Sequence, residues 1–88
     1  SPVLKSMEIK VYPNPASRNE VAYLEADLVD DVLAEAITDV YSLSGEHVLR
    51  FPLTGRTTLL PTSLGSGMYI LKVSSKGIYT RSTRFILK

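Results

Sequence analysis

Each alternating apolar run in this chain is cut short by Gly, Pro, Asn, paired serines or paired aspartates, and that punctuation limits it to short strands. The clearest run is Leu64-Gly65-Ser66-Gly67-Met68-Tyr69-Ile70-Leu71-Lys72-Val73. Its two glycines allow the chain to reverse sharply before Met68, and both are expected at backbone angles that a side chain would strain. Beyond them Tyr69, Leu71 and Val73 fall on one face and Met68, Ile70 and Lys72 on the other, the period-2 pattern of a strand. Ser74-Ser75-Lys76-Gly77 supplies hairpin chemistry, with Gly77 suited to a left-handed position. A final strand from Ile78 to Lys88 then returns beside the first.

Earlier in the chain the same signs recur. Glu8 to Tyr12 reads as a strand with Ile9 and Val11 on one face, ended by Pro13-Asn14-Pro15. Two prolines in three residues remove two amide donors, so this segment is expected to be extended, polyproline-like and at a sheet edge, where it discourages a neighbouring strand from pairing. After the turn-like Ser17-Arg18-Asn19, the run Glu20 to Leu28 places Val21, Tyr23 and Glu25 on one side and Ala22, Leu24, Ala26 and Leu28 on the other. Asp30-Asp31 marks a break. Val32 to Ala36 has a weak helical flavour, but the β-branched and aromatic residues of Ile37 to Tyr41 favour strand from about Ala34. Either face of that strand is apolar enough to be buried.

Gly45, in Leu43-Ser44-Gly45-Glu46, is placed for the positive φ of a hairpin. His47 to Phe51 follows as a strand stopped by Pro52, Thr54-Gly55 turns the chain, and Thr57 to Leu60 is a short strand ended by Pro61. The result is seven short strands and no convincing helix. Such spacing points to an all-β fold, a seven-stranded antiparallel immunoglobulin-like (Greek-key) β-sandwich. Eighty-eight residues make one such domain, with stability on the order of 5–10 kcal/mol. The chain opens Ser1-Pro2 with neither Met nor an apolar leader, so it is expected to be a piece of a longer protein, residues 1–6 a linker and 7–88 the domain.

A net charge of +1 conceals an asymmetry. Ser1 to Glu46 carries a balance of −6, and His47 to Lys88 a balance of +7 with no carboxylate. Such a split marks either an interaction surface or acidic and basic strands that neutralise one another in the fold.

Chemistry is sparse. The absence of cysteine excludes disulfides, thiolate metal sites and a cysteine nucleophile. A serine triad is assembled on paper from Ser44, His47 and Asp39, but no nucleophile elbow accompanies it, and His47 reads as a solvent-facing strand residue. Asp27, Asp30 and Asp31 lack the spacing and central glycine of a calcium loop. Gly65-Ser66-Gly67 leads into a strand rather than the helix that a phosphate loop needs. Arg81, Arg84 and Lys88 interleave with Tyr79 and Phe85, but those aromatics share a face with Leu87 and are better explained as core than as a base-stacking platform. No enzyme activity, cofactor, metal or nucleic acid is expected.

Four turn motifs in order give the chain a resemblance. Val11-Tyr12-Pro13-Asn14-Pro15-Ala16, Val40-Tyr41-Ser42-Leu43-Ser44-Gly45, the Leu64 to Val73 run and Thr83-Arg84-Phe85-Ile86-Leu87-Lys88 are similar to the successive elements of the C-terminal sorting domains of proteins exported by the type IX secretion system of Bacteroidota. Ser42 stands where that family commonly has Asp or Asn. The resemblance implies a folded address label that takes its cargo from the periplasm across the outer membrane to the cell surface. It implies the type IX translocon and shuttle proteins as partners, with a cell-surface sortase that removes the domain and joins the cargo to lipopolysaccharide. The alternative is an immunoglobulin-like spacer, adhesion or carbohydrate-binding module, though a carbohydrate module usually displays exposed aromatics and this chain has no Trp. Weak self-association through sheet edges is also expected. On the sorting reading the recognition candidates are Arg81, Arg84, Phe85, Ile86, Leu87 and Lys88, and the structural motif residues are Pro13, Asn14, Pro15, Gly45, Gly65, Gly67 and Tyr69.

Overall fold

A computed structural model describes residues 8–77 and 79–88, with the side chain of Tyr79 excepted. The expected linker and Ile78, where the last strand was expected to begin, lie outside the described residues. Seven strands form: β1 (Ile9–Tyr12), β2 (Tyr23–Ala26), β3 (Ala36–Ser42), β4 (His47–Pro52), β5 (Thr57–Leu59), β6 (Gly67–Ser75) and β7 (Tyr79–Leu87). They make two antiparallel sheets, one ordered β1-β2-β5 and the other β4-β3-β6-β7. The expected immunoglobulin-like sandwich is therefore the fold, with β4 beside β3 on the larger sheet.

Period-2 alternation decides the core. Ala22, Leu24, Ala26 and Leu28 are fully buried from the smaller sheet, and Val40, Leu71, Val73, Phe85 and Leu87 meet them from the larger. On the opposite side of the β2 run, Val21 remains 59% exposed. In β3 the buried alternation is Ala36, Thr38 and Val40, which resolves the ambiguity left by its sequence. Burying a Leu or Phe side chain contributes about 1.5–3 kcal/mol, so these few side chains dominate the stability of a domain this small.

Three expectations are corrected. A short helix, α1 (Asp30–Ala34), occupies the expected break, its Val32 side chain buried and its Val32 carbonyl accepting from Ser75 Oγ at 2.8 Å. Its aspartates sit in the first turn, where the unpaired amides of a helix favour negative charge. One turn is too short to show a helical period in sequence. Next, Gly65 takes no positive φ, and an added Cβ would meet only Tyr69 Oη at 3.9 Å. Gly67 does lie at φ +150, and Gly45 and Gly77 at +91 and +71. Finally, residues 13–15 form a bend rather than a polyproline stretch, and both peptide bonds before their prolines are cis.

Candidate functional site

The site is built around β7, which lies at one edge of the larger sheet and pairs along its whole length with β6, from Gly67↔Leu87 to Ser75↔Tyr79. Alternation buries Phe85 and Leu87, at 1% and 2% exposure, and turns Arg84, Ile86 and Lys88 the other way. Of the recognition candidates, Phe85 and Leu87 are thus core side chains. Arg84 and Lys88 are exposed, Ile86 is half-buried, and Arg81 is exposed further up the strand.

The outer edge of β7 is occupied by the bend after β1. Asn14 Nδ2 donates to the Arg84 carbonyl at 2.9 Å, and the Ile86 amide donates to Asn14 Oδ1 at 3.0 Å. A carboxamide carries the same donor and acceptor as a peptide group, so the Asn14 side chain stands in for a strand's backbone. Ala16 continues the contact: its amide donates to Ile86 O at 2.8 Å, and its carbonyl accepts from Lys88 N at 2.9 Å. Higher on the strand the Thr80 carbonyl accepts from the guanidinium of Arg81 at 3.1 Å. The expectation that the proline motif merely repels a neighbouring strand is therefore incomplete, because its central Asn pairs with one.

On the outer face of the larger sheet, Tyr41, Met68, Ile70 and Ile86 are half-buried, and β6 and β7 set Met68 opposite Ile86 and Ile70 opposite Arg84. The four strands contain the cations Arg50, Lys72, Arg81 and Arg84 and one carboxylate, Asp39. Asp39 is only 6% exposed. Arg50 Nε donates to its Oδ1 at 2.7 Å, and His47 Nε2 to the same oxygen at 2.9 Å. The Arg50 hydrogen bond holds the Asp39 carboxyl below its ordinary value, against the opposing effect of burial and with help from His47. His47 also meets the Tyr41 ring edge-on at 5.3 Å. It is half exposed, as expected, but it is fixed at its other end.

Asp39 and His47 of the paper triad do meet. The Ser44 hydroxyl, however, shares a 2.9 Å hydrogen bond with Ser42 Oγ, and it is the Nε2 of His47 that faces the acid. A triad turns that nitrogen to the nucleophile. Among the described residues there is no cluster of three metal-ligating side chains, and Asp30 is paired with Arg56 at 2.7 Å. The split in charge is partly neutralised in the fold, since Asp39–Arg50, Asp30–Arg56 and Glu35–Lys76 each join the acidic half to the basic half. Lys72, Arg84 and Lys88 make no ion pair among the described residues.

The turn motifs also have local reasons. Tyr69 is buried in the core, and its hydroxyl donates to the Gly65 carbonyl at 2.6 Å, tying the glycine turn to the strand that it feeds. Sequence reasoning named Asn14 only as a turn residue and Asp39 only in the paper triad, and foresaw neither the β7 backbone as the partner of one nor Arg50 as the partner of the other. Asp39 had a readable signal: an acid inside the apolar β3, opposite Arg50 once the hairpin at Gly45 sets the register. The pairing of Asn14 had none, because its partners are 70 and 72 residues away.

The sequence pattern of the secretion system C-terminal sorting domain matches residues 10–88, from within β1 to one residue past β7. The chain belongs to this family. It is thus a type IX secretion C-terminal sorting signal, a domain that engages the secretion machinery so that its protein leaves for the cell surface or the medium. Comparison with curated proteins gave no match. Within the sorting domain, the proline bend and the terminal strand are two halves of one contact, although they stand at opposite ends of the matched pattern.

Proposed function

We propose that the type IX machinery reads this sorting signal on the outer face of the larger sheet, at the end of β7, where Arg84, Ile86 and Lys88 stand beside Met68, Ile70 and Tyr41. The observation that carries this reading is the charge of that face. Its only strand carboxylate is buried beneath Arg50 and His47, so the exposed charge is positive and is set among half-buried apolar side chains. An acidic surface on the shuttle or translocon would be steered to it, with charge acting mainly on the rate of encounter. Phe85 and Leu87 act indirectly, by holding β7 in register. The domain has no catalytic part in this scheme. It travels through the periplasm as a folded sandwich, and a sortase then cuts the linker before β1 and joins the cargo to lipopolysaccharide.

The test is a fusion of residues 1–88 to a periplasmic reporter in a type IX-competent cell. Surface delivery is expected, with a smaller product once the domain is removed. Arg84→Glu with Lys88→Glu should slow delivery while leaving the domain folded. Delivery at the wild-type rate would show that the reader contacts another face.

A further inference from the structure

The opposite edge of the larger sheet carries a second feature, lined by none of the motif residues themselves. Beside β4 lies an apolar groove of ≈ 440 Å³, where the larger sheet parts from β5 of the smaller one. Leu49, Phe51 and Pro52 line it from β4, and Leu59, Leu60 and Pro61 from β5 and beyond. Leu59 is 63% exposed there, and with Phe51, Pro52, Leu60 and Pro61 it makes the apolar lining contiguous.

The backbone of β4 suits the groove. The Leu53 amide donates to Ala36 O at 3.2 Å, which fixes the antiparallel alternation. Phe51, paired with Thr38, and Leu49, paired with Val40, turn their amides toward β3. Arg50 between them turns its amide and carbonyl away from the sheet, and no other described segment takes them up. Pro52 falls at an outward position, where its missing donor costs β3 nothing. An exposed strand edge next to an apolar groove is the arrangement by which an extended segment is bound as an extra strand, its backbone held by the edge and its alternate side chains by the groove.

We infer that this edge takes an extended segment of a partner protein as an added strand, with apolar side chains in the groove and a carboxylate opposite Arg50. Charge selects the occupant. Neither β4 nor the groove lining contains a carboxylate, and the Arg50 side chain is 66% exposed although its Nε is bound to Asp39. A guanidinium has further N–H donors to offer a second acid. A second copy laid antiparallel on the same edge would set Arg50 against Arg50, a repulsive cross-strand pair, whereas an acidic segment makes an attractive one. Only the source of the segment, the secretion machinery, rests on the sorting reading; the binding itself does not.

The experiment is a titration of the ¹⁵N-labelled chain with a short capped peptide that alternates valine and threonine around one central glutamate. Saturable shifts are expected at the amides of Val48, Arg50 and Leu59, with those of Ile86 and Lys88 unmoved. A peptide with lysine in place of the glutamate should bind roughly tenfold more weakly, and pairing it with Arg50→Glu should restore affinity. Leu59→Lys, a surface change that leaves the Asp39 contacts intact, should block the groove in a folded domain. The inference is overturned by shifts confined to β7, by an absence of saturable binding, by indifference to the peptide's charge, or by self-association that removes the β4 amides. Each of those outcomes leaves the surface-delivery test standing.

Discussion

At β7 the larger sheet ends against its own chain, with Asn14 and Ala16 taking up the outward groups of Arg84, Ile86 and Lys88. At β4 it ends against solvent and an apolar groove, with the amide of Arg50 facing out. A bare strand edge invites unwanted pairing, and natural sheets cover or charge their edges. This domain covers one edge and leaves the other with a single proline and a cation. The difference separates two tasks: a sealed side that holds a charged, partly apolar face in register, and an open side that can accept a strand.

The largest effect expected from breaking this contrast comes from its core. Phe85→Ala empties a fully buried site and should cost about 3 kcal/mol or more, whereas the half-buried Phe51 on the open side should cost about half as much when cut to Ala. Urea denaturation compares the two, and equal losses would mean that the groove is packed as tightly as the core. Next is Asn14→Ala, which removes both side-chain bonds to β7 and should cost about 1–2 kcal/mol. It should also expose a second edge, visible as self-association in sedimentation velocity. A clean monomer would mean that Ala16 seals the edge alone.

Smaller still, Gly67→Ala should cost about 1 kcal/mol because its φ lies where side chains are strained, while Gly65→Ala should change the melting temperature little. On the open side, acid should act through Asp39. Its carboxyl is held below the ordinary value of 3.8, so the stability that it contributes is present above that value and is lost as pH falls through the lower folded one. Asp39→Asn should remove this part of the acid sensitivity, as read from urea midpoints between about pH 5 and pH 2. The same slope in both proteins would separate the Arg50 contact from stability. Least of all, Arg84→Glu with Lys88→Glu should shift stability by no more than about 1 kcal/mol. A larger loss would make those cations part of the seal rather than of the exposed face.

The strands were legible because alternation is a local signal that puts Leu24 and Val21 on opposite sides, but β3, apolar on both faces, did not reveal which side goes inside. The turn at Gly77 was legible for the same reason, although Lys76 beside it also takes a positive φ, of 50, which its side chain does not advertise. α1 was hidden because it is a single turn, held by Val32 packing and by Ser75 from a distant strand. The clasp at Asn14 and the groove beside Phe51 were hidden more deeply. Each depends on which elements become neighbours, and the spacing of residues along one strand does not report that. Asp39 lies between these cases, since hairpin register alone would have brought Arg50 to it.

The clasp at Asn14 also bears on when the domain becomes whole. It joins residues 72 apart in the sequence, so the entropy of closing that loop, about 4 kcal/mol, is met before the two hydrogen bonds contribute anything. Contacts of such long range slow folding, because that entropy is lost before they reward it. A ribosome that has not yet finished β7, or a protease that has clipped it, therefore leaves a chain without the clasp and without the Phe85 and Leu87 core anchors, its β6 edge uncovered as well as its β4 edge. To any partner that pairs with strands, such an unfinished domain is a different object from the finished one, and the seal at Asn14 doubles as a mark of completion.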